Sequence, residues 1–556
     1  LNFALRTFTV SIPFVLVTAL LGAADYAIRL VDVPGGGGIN LLNVSGSPTK
    51  EYIVEGNGNG AGFFDYDRDG DLDAVVVNGS TFDRLKSGGD PLTALYRNEG
   101  GGRFSDVTAS SGMNRRGWGS GVCVADYDND GFEDVYITAF GPDVLYRNTG
   151  SGAFTATSQA SDELWSTGCA FGDYDRDGNV DLYVANYVAF DRAKVPRRGA
   201  GGCKFMNIDA FCGPRPLPGA RDVLYRNQGD GTFVDATAKA GTIEPGHYGF
   251  GVLFSDLNDD GWPDIYVAND SLPNLLFRNR GAGTFSEEGL LSGVAVSGDG
   301  REQAGMGVDA GDYDADGRLD LIVTHFAQDY TTLYRNEGDG LFRDVSFESG
   351  MAATLGLPLG WGVGLLDLDN NGWLDVFQSN GHIHPEIAKT GTSTYRQRNQ
   401  VFRNTGGKRF QHVTDDAGTA LRVEKSYRGA AFGDYDNDGD LDVLVIPIDD
   451  RPTLLRNDTA GGHWITVRLV GSKSNRDGIG AKVTIEAGGR RQIAEVRSGG
   501  SYVSHNDMRV HFGLGEARRV DRLAIRWPSG LVETSAGLDG DRFYVAREGS
   551  SIRAGL

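Results

Sequence analysis

The chain is poor in the residues that most catalytic chemistry uses. Across 556 residues it has 4 Cys, 5 Met, 7 Trp and 8 His. It contains no Gly-x-Ser-x-Gly nucleophile elbow, no His-Glu-x-x-His zinc motif and no dinucleotide-binding glycine fingerprint, so three large enzyme classes lose their sequence basis. Basic charge is also short. Lys and Arg number 53 against 75 Asp and Glu, a net charge of −22, and without a basic stripe nucleic-acid binding is disfavoured. Long apolar stretches are represented by residues 7–24, 18 uncharged positions ending in Gly22-Ala23-Ala24. Such an end suits signal-peptide cleavage after Ala24. The same stretch reaches the lower edge of a membrane-spanning length, with Pro13 inside it, so an uncleaved anchor is the rival reading and membrane contact is expected only there.

What the chain has in excess is Gly, at 82 residues, and a nine-residue acidic loop that recurs seven times. Each copy reads Asp-x-Asp/Asn-x-Asp/Asn-Gly-x-x-Asp. Calcium is a hard cation that takes six to eight oxygens, and short carboxylates alternating around a tight turn converge on one point. The expected ligand sets place side chains at positions one, three, five and nine and a backbone carbonyl at position seven. The first is Asp65, Asp67, Asp69 and Asp73 with the carbonyl of Asp71; the second is Asp126, Asp128, Asp130 and Asp134 with Phe132. The third is Asp173, Asp175, Asp177 and Asp181 with Asn179; the fourth is Asp256, Asn258, Asp260 and Asp264 with Trp262. The fifth is Asp312, Asp314, Asp316 and Asp320 with Arg318; the sixth is Asp367, Asp369, Asn371 and Asp375 with Trp373. The seventh is Asp434, Asp436, Asp438 and Asp442 with Asp440. An Asp-Gly pair alone is explained by a hairpin turn. A turn needs one or two such residues, whereas every copy keeps four acceptor side chains, so about seven calcium ions are expected.

The loops recur at a spacing near fifty residues, the period of propeller blades. An apolar run precedes each loop and an alternating run follows it, which predicts a hairpin. A third strand is predicted at Leu95-Tyr96-Arg97-Asn98 and its six counterparts, ending at Asn148, Asn227, Asn279, Asn336, Asn404 and Asn457. A fourth begins at a Phe after a Gly-rich turn: Phe104, Phe154, Phe233, Phe285, Phe342 and Phe410. The seventh unit lacks one, and Ile28 to Val33 supplies a stray copy that would close the ring. The fold expected is all-β: a seven-bladed propeller over 25–460 followed by a separate, sandwich-like β domain over 461–556. Closure leaves only short, protected sheet edges.

Units one, three and six carry insertions, Ser80 to Pro91, Asp191 to Arg221 and Gly381 to Gln400, and loops on a rigid scaffold are where a partner is recognised. Cys203 and Cys212 lie in the third-unit insertion and are expected to form a disulfide. Cys123 and Cys169, on apolar first strands, are expected as buried free thiols. Residues 461–556 hold 15 Lys and Arg against 10 Asp and Glu. Their Arg residues alternate with apolar ones, which reads as a solvated sheet face.

Phe64-Asp65-Tyr66-Asp67-Arg68-Asp69-Gly70, Cys212-Gly213-Pro214-Arg215 and the C-terminal stretches Gly471 to Asp477, Arg497 to Tyr502 and His511 to Gly515 carry a resemblance. The chain resembles the FG-GAP/VCBS repeat proteins, whose repeat occurs in integrin α-subunit propellers. It is more closely similar to the cartilage-acidic-protein-like secreted proteins that end in an ASPIC/UnbV domain. The resemblance implies an extracellular or cell-surface location, calcium-loaded blades and a role in recognition or adhesion, with a protein or glycan as partner. Two alternatives stand beside it: a self-assembling extracellular subunit using the hydrophobic N-terminus, and a propeller hydrolase or lyase acting on polysaccharide. Candidates for catalysis outside the loops are few. They are His382 and His384 with Glu386 beside them, and His325; His pairs in Gly/Pro loops are mostly solvated turn residues, so a binder rather than an enzyme is expected.

Overall fold

The computed structural model describes residues 26–353 and 358–556. The cleaved or anchoring segment expected over 1–24 lies outside these residues. Among the described residues no helix is long and apolar enough to cross a membrane.

The repeats fold as four-stranded antiparallel sheets. In the first, Ala61–Phe64 leads into the acidic loop, Asp73–Val77 returns from it, and Thr93–Asn98 and Phe104–Asp106 complete the sheet in that order. Seven sheets of this organisation are present among the described residues. Their first strands are Ala61–Phe64, Gly119–Ala125, Ser166–Gly172, Gly249–Ser255, Gly305–Gly311, Gly360–Leu366 and Tyr427–Gly433. Each touches the first strand of the next sheet, and the last touches the first, so the sheets form a propeller around one axis.

These innermost strands are buried on both faces, which is why they read as apolar runs without alternation. Glycine sets their approach. A Cβ at Gly121 would sit 2.5 Å from the carbonyl oxygen of Thr167 on the next sheet, and one at Gly251 would sit 2.7 Å from that of Met306. Behind them the seams are aliphatic, as where Val75, Val77 and Leu95 of the first sheet meet Val122, Val124 and Ile137 of the second. Each such side chain contributes about 1.5–3 kcal/mol on burial, so the seams hold the ring.

Cys123 and Cys169 do not remain free thiols. They form a disulfide with a Cα–Cα distance of 5.8 Å, and Cys203 pairs with Cys212. The reason lies in the ring: equivalent first strands of neighbouring sheets face one another, so two thiols preceding consecutive loops meet across a seam. The seventh sheet takes its outer strand from the other end of the chain. Leu30–Asp32 pairs antiparallel with Thr453–Asn457, Leu30 opposite Asn457 and Asp32 opposite Leu455.

The C-terminal region contributes two further four-stranded sheets. One is ordered Val510–Gly515, His463–Val470, Arg542–Arg547, Arg553–Ala554, and the other Arg490–Glu495, Lys482–Ala487, Arg519–Arg526, Val532–Asp539. Their inner faces share one core with the second and third propeller sheets, joining Ile465, Val483 and Leu523 to Cys123, Phe171 and Leu182. Between the two sheets, residues 498–507 run into the ring's axial channel and contact first strands around it. His505 N–H donates to the Ala61 carbonyl, Val122 N–H to Val503, Val308 N–H to Ser501, and Asp507 N–H to Phe432. Ser498 Oγ donates to Val124, Ser501 Oγ accepts from Val363 N–H, and the Tyr502 ring packs on Phe250 and Trp361 at 5.4 and 4.7 Å. The solvated Arg face expected for this region is found in part: Arg519 and Arg522 are exposed, whereas other arginines turn to the propeller. Arg526 reaches Asp256 at 2.7 Å, Arg509 donates to the Asp434 carbonyl, Arg490 to that of Asn371, and Arg497 pairs with Asp309. The basic module is docked on the acidic loops.

Leu30 is fully buried in the closing strand, whereas Leu42 is 55% exposed. Leu30→Ala should cost about 2–5 kcal/mol, visible as a lowered midpoint in urea denaturation, while Leu42→Ala should leave the midpoint within error. Equal midpoints for the two variants would contradict closure by this strand.

Candidate metal-binding loops

Each acidic loop is curled by its own backbone. Position four takes a left-handed conformation throughout, from Arg68 (φ 63°) and Asn129 (φ 58°) to Asn437 (φ 57°), and Gly follows in the left-handed region at position six. The Gly N–H donates to the first Asp in all seven copies, as from Gly131 to Asp126 at 2.6 Å. The position-seven N–H donates to the residue at position five, as from Asp71 to Asp69 at 2.9 Å.

This curl gathers the carboxylates. One oxygen from each of Asp65, Asp67 and Asp73 lies within 4.8 Å of the others, and the same holds for Asp126, Asp128 and Asp134, for Asp173, Asp175 and Asp181, for Asp312, Asp314 and Asp316, and for Asp367, Asp369 and Asp375. Several of these oxygens are buried without a hydrogen-bond partner: Oδ1 of Asp65, Asp67, Asp126, Asp175, Asp314 and Asp436. Convergent, hard, uncompensated oxygens are what a hard divalent cation takes as ligands. Burial, then the neighbouring carboxylates, pushes these acids up: Asp73 to about 9, Asp173 and Asp312 to about 7, and Asp126, which also faces Asp477, to about 8. The fourth loop is balanced differently. Asp264 is paired with the buried Arg278 at 2.5 Å and Asp256 with Arg526.

The closing Asp at position nine has a second task. Asp73 Oδ2 accepts from Tyr66 N–H at 3.1 Å and its Oδ1 from Asn98 N–H at 2.8 Å, and the pattern repeats in every sheet. The Asn ending each third strand then reaches across the seam. Asn98 Nδ2 donates to the Tyr435 carbonyl of the seventh loop, Asn148 to Tyr66, Asn227 to Tyr127, Asn279 to Tyr174, Asn336 to Leu257, Asn404 to Tyr313 and Asn457 to Leu368. The Arg-Asn ending was visible in the sequence, but its role as the joint between sheets was not. Position seven is a joint as well: Arg68 stacks on Phe132 at 4.6 Å, Arg176 on Trp262 at 4.9 Å, and Asn437 donates to Asp71 at 2.7 Å.

The insertions leave the opposite ends of the strands and converge there. Phe82 stacks on Phe190, Arg192 sits 4.3 Å over Phe82, and Arg198 pairs with Glu386 at 2.9 Å. His382 and His384 are not solvated turn residues. They are buried against Phe205 and Phe211 of the disulfide-closed hairpin, and burial depresses them to about 3 and about 4. Glu386 is taken by Arg198 and Lys389, and His325 is buried apart, depressed to about 4.

Comparison with known proteins agrees with this geometry. A model of the FG-GAP-like repeat matches residues 65–137, 126–184, 207–267, 256–323, 312–377 and 384–445, and a model named ASPIC and UnbV matches 471–553. Cartilage acidic protein 1 of Xenopus tropicalis is 26% identical over 505 residues, covering 87% of this chain and 72% of the relative. That of Homo sapiens is 26% identical over 501 residues, covering 85% and 69%. Among solved structures, BBS1N in complex with ARL6DN aligns at a TM-score of 0.41 and 12% identity, covering 77% of this chain and 96% of that one. An Agrocybe aegerita lectin specific for terminal N-acetylglucosamine aligns at 0.38 and 17%, covering 71% and 90%.

In chelator, the raised loop acids bind more protons in the folded chain than in the unfolded one between their ordinary range near 4 and their folded values of about 7 to 9. Stability should therefore fall as pH rises through that window. Melting curves in EDTA are expected to give a higher midpoint at pH 5 than at pH 8, and an added divalent cation should raise the midpoint more at pH 8, where fewer protons compete. A chelated protein more stable at pH 8 than at pH 5 would refute this.

Proposed function

Since the chain belongs to the FG-GAP-like repeat proteins, with an ASPIC and UnbV domain at its C-terminal end, we propose that it is an extracellular, calcium-loaded propeller that recognises a glycan or protein partner through its insertion-bearing end. The observation that carries the reading is the repeated set of convergent, unpartnered carboxylate oxygens. Asp65, Asp67, Asp69 and Asp73 and their six counterparts would hold the ions, with the position-seven carbonyl available as a further oxygen. Bound calcium supplies positive charge that offsets the crowded carboxylates. Calcium suits the loops better than magnesium, which keeps its waters and demands a stricter octahedron.

An oxidising location is supported by the pairing of all four cysteines and by the relationship to cartilage acidic proteins. Binding rather than catalysis is supported by the histidines. His382 and His384 lie under aromatic rings, held neutral, and Glu386 is committed to ion pairs, so no acid and base face one another there. The recognition end is the one that carries the three insertions, since the other end is covered by the basic C-terminal module.

Metal analysis of the purified protein after dialysis against calcium should return about seven ions per chain, and exhaustive chelation should lower the melting temperature substantially. Retention of the full melting temperature in a protein shown by mass spectrometry to be metal-free would sink the calcium reading. Recognition is tested separately on arrays of glycans and extracellular proteins, with the calcium-loaded full chain as probe; no calcium-dependent signal on either array would count against it.

A further inference from the structure

At the insertion-bearing end, the axial channel opens into a cavity of about 360 Å³. This is within the range of small-molecule sites. Its walls are mainly rings: Tyr187, Phe250, Trp361 and Phe326, with Phe205 and Phe211 from the Cys203–Cys212 hairpin closing one side. The first strands of the fourth, fifth and sixth sheets supply Phe250, Met306 and Trp361, so the cavity sits on the axis, above the Tyr502 ring of the channel-filling segment.

Polar side chains are few: Asn57, Lys204, Asp270, Ser271 and His384. Asp270 is buried, with Oδ2 accepting from Tyr187 Oη at 2.5 Å and Oδ1 from Ser271 Oγ at 2.8 Å, which leaves a second lone pair on each oxygen. Ser271 is held at φ 61°, a left-handed position that a non-glycine residue takes at a cost. Asn57 lines the cavity with 6% exposure, and its amide Nδ2 has no hydrogen-bond partner. The hairpin is fastened across the ring: Arg198 donates to the Thr49 carbonyl and pairs with Glu386, while Phe205 packs on His384 at 5.2 Å.

We propose that this cavity is a binding site for one uncharged pyranose ring, the terminal sugar of a glycan. The proposal rests on the recognition reading above and names its ligand. A pyranose has C–H faces that lie against aromatic rings and hydroxyl edges that both donate and accept. Asp270 and the Ser271 oxygen, whose own proton goes to Asp270, take its hydroxyl protons, and Asn57 Nδ2 donates to one of its oxygens. A purely aromatic ligand would leave Asn57 Nδ2 and the free lone pairs of Asp270 unpaired, which burial makes costly. An acidic sugar would face the Asp270 carboxylate, and the one lysine of the lining, Lys204, is an exposed residue with its charge in solvent. The nearest buried cation does not compensate, because the Arg428 guanidinium, stacked 4.2 Å over Trp361, already donates to the carbonyls of Gly56, Gly381 and Tyr427.

The test uses the full calcium-loaded chain and methyl glycosides of neutral hexoses and N-acetylhexosamines, followed by calorimetry and tryptophan fluorescence, with methyl glucuronide and benzyl alcohol as controls. At least one neutral glycoside should bind at millimolar concentration or tighter, and neither control should match it. Asn57→Leu should weaken binding tenfold or more. Ala304→Phe, which fills the cavity without touching these polar groups, should abolish it, both variants keeping the wild-type melting temperature. Should either variant fail to fold, saturation-transfer NMR on the wild-type chain decides: contact to ring C–H protons supports the site, and its absence overturns it. No response to any neutral glycoside, or binding unchanged in folded Ala304→Phe, overturns the cavity proposal. Array binding that persists in Ala304→Phe would leave the recognition reading standing while this site falls.

Discussion

Every sheet is tied to the next through the backbone of one residue, at position two of the acidic loop. Its N–H is taken by the closing Asp of its own loop and its carbonyl by the Asn of the following sheet, from Tyr66 and Asn148 round to Tyr435 and Asn98. The circuit runs through all seven seams. It works only while the closing Asp points inward, and that orientation places a buried carboxylate among two or three others. Desolvation and like charge oppose this arrangement, as the displaced acids show, Asp73 most clearly. The third-strand Arg relieves part of it: Arg147 spans Asp128 and Asp130, and Arg226 spans Asp175 and Asp177. A hard cation at the convergence point would relieve the rest. The proposed metal-binding role and the ring-closing role of the loop therefore cannot be separated by sequence position, since the same Asp would serve both.

The loops, the four-strand unit and the closing strand at Leu30 were legible because each is a local pattern repeated in register. Seven copies convert an ambiguous Asp-Gly turn into an argument, and the one unit lacking a fourth strand points directly to the spare copy at the N-terminus. What was not legible depends on angles around the axis. The Cys123–Cys169 bond joins residues 46 apart whose strands face one another only when the ring is built. Position seven varies from Asp71 to Trp262, and sequence reasoning could assign only its carbonyl. In space it receives position four of the preceding loop, so Arg68 meets Phe132 and Asn437 meets Asp71. Residues 498–507 hold three Ser and two Gly, and nothing local says that their hydrogen-bonding partners are the inner strands of the propeller.

The arginines of the C-terminal region divide between two environments, Arg519 and Arg522 facing solvent and Arg490, Arg497, Arg509 and Arg526 facing the propeller. Alternation along a strand separates one face from another but does not say whether the polar face meets water. Here the net acidity of the propeller is concentrated in loops at one end, and a module with an excess of basic residues is set on that end. The long-range attraction selects the face, and individual contacts such as Arg526 with Asp256 and Arg509 with the Asp434 carbonyl fix the register. The shared core of Ile465, Val483 and Leu523 with Phe171 and Leu182 then makes the two parts one folding unit in energetic terms.

This docking links the two ends of the molecule. The segment that enters the channel begins at Arg497, paired with Asp309 on an inner strand of the acidic-loop end, and carries Tyr502, whose hydroxyl donates to the Asn57 carbonyl. Tyr502 also packs on Phe250 and Trp361, two walls of the cavity at the other end. Rigid, close-packed elements transmit displacement rather than absorb it. The basic module is fastened to the acidic loops by Arg526, Arg509 and Arg490, and the segment between its two sheets lies under the cavity through Tyr502. The arrangement gives the proposed recognition surface, though made of inserted loops, a fixed shape. Its outer walls are fixed by a disulfide and the Arg198–Glu386 pair, and its inner wall is braced from the opposite end of the ring.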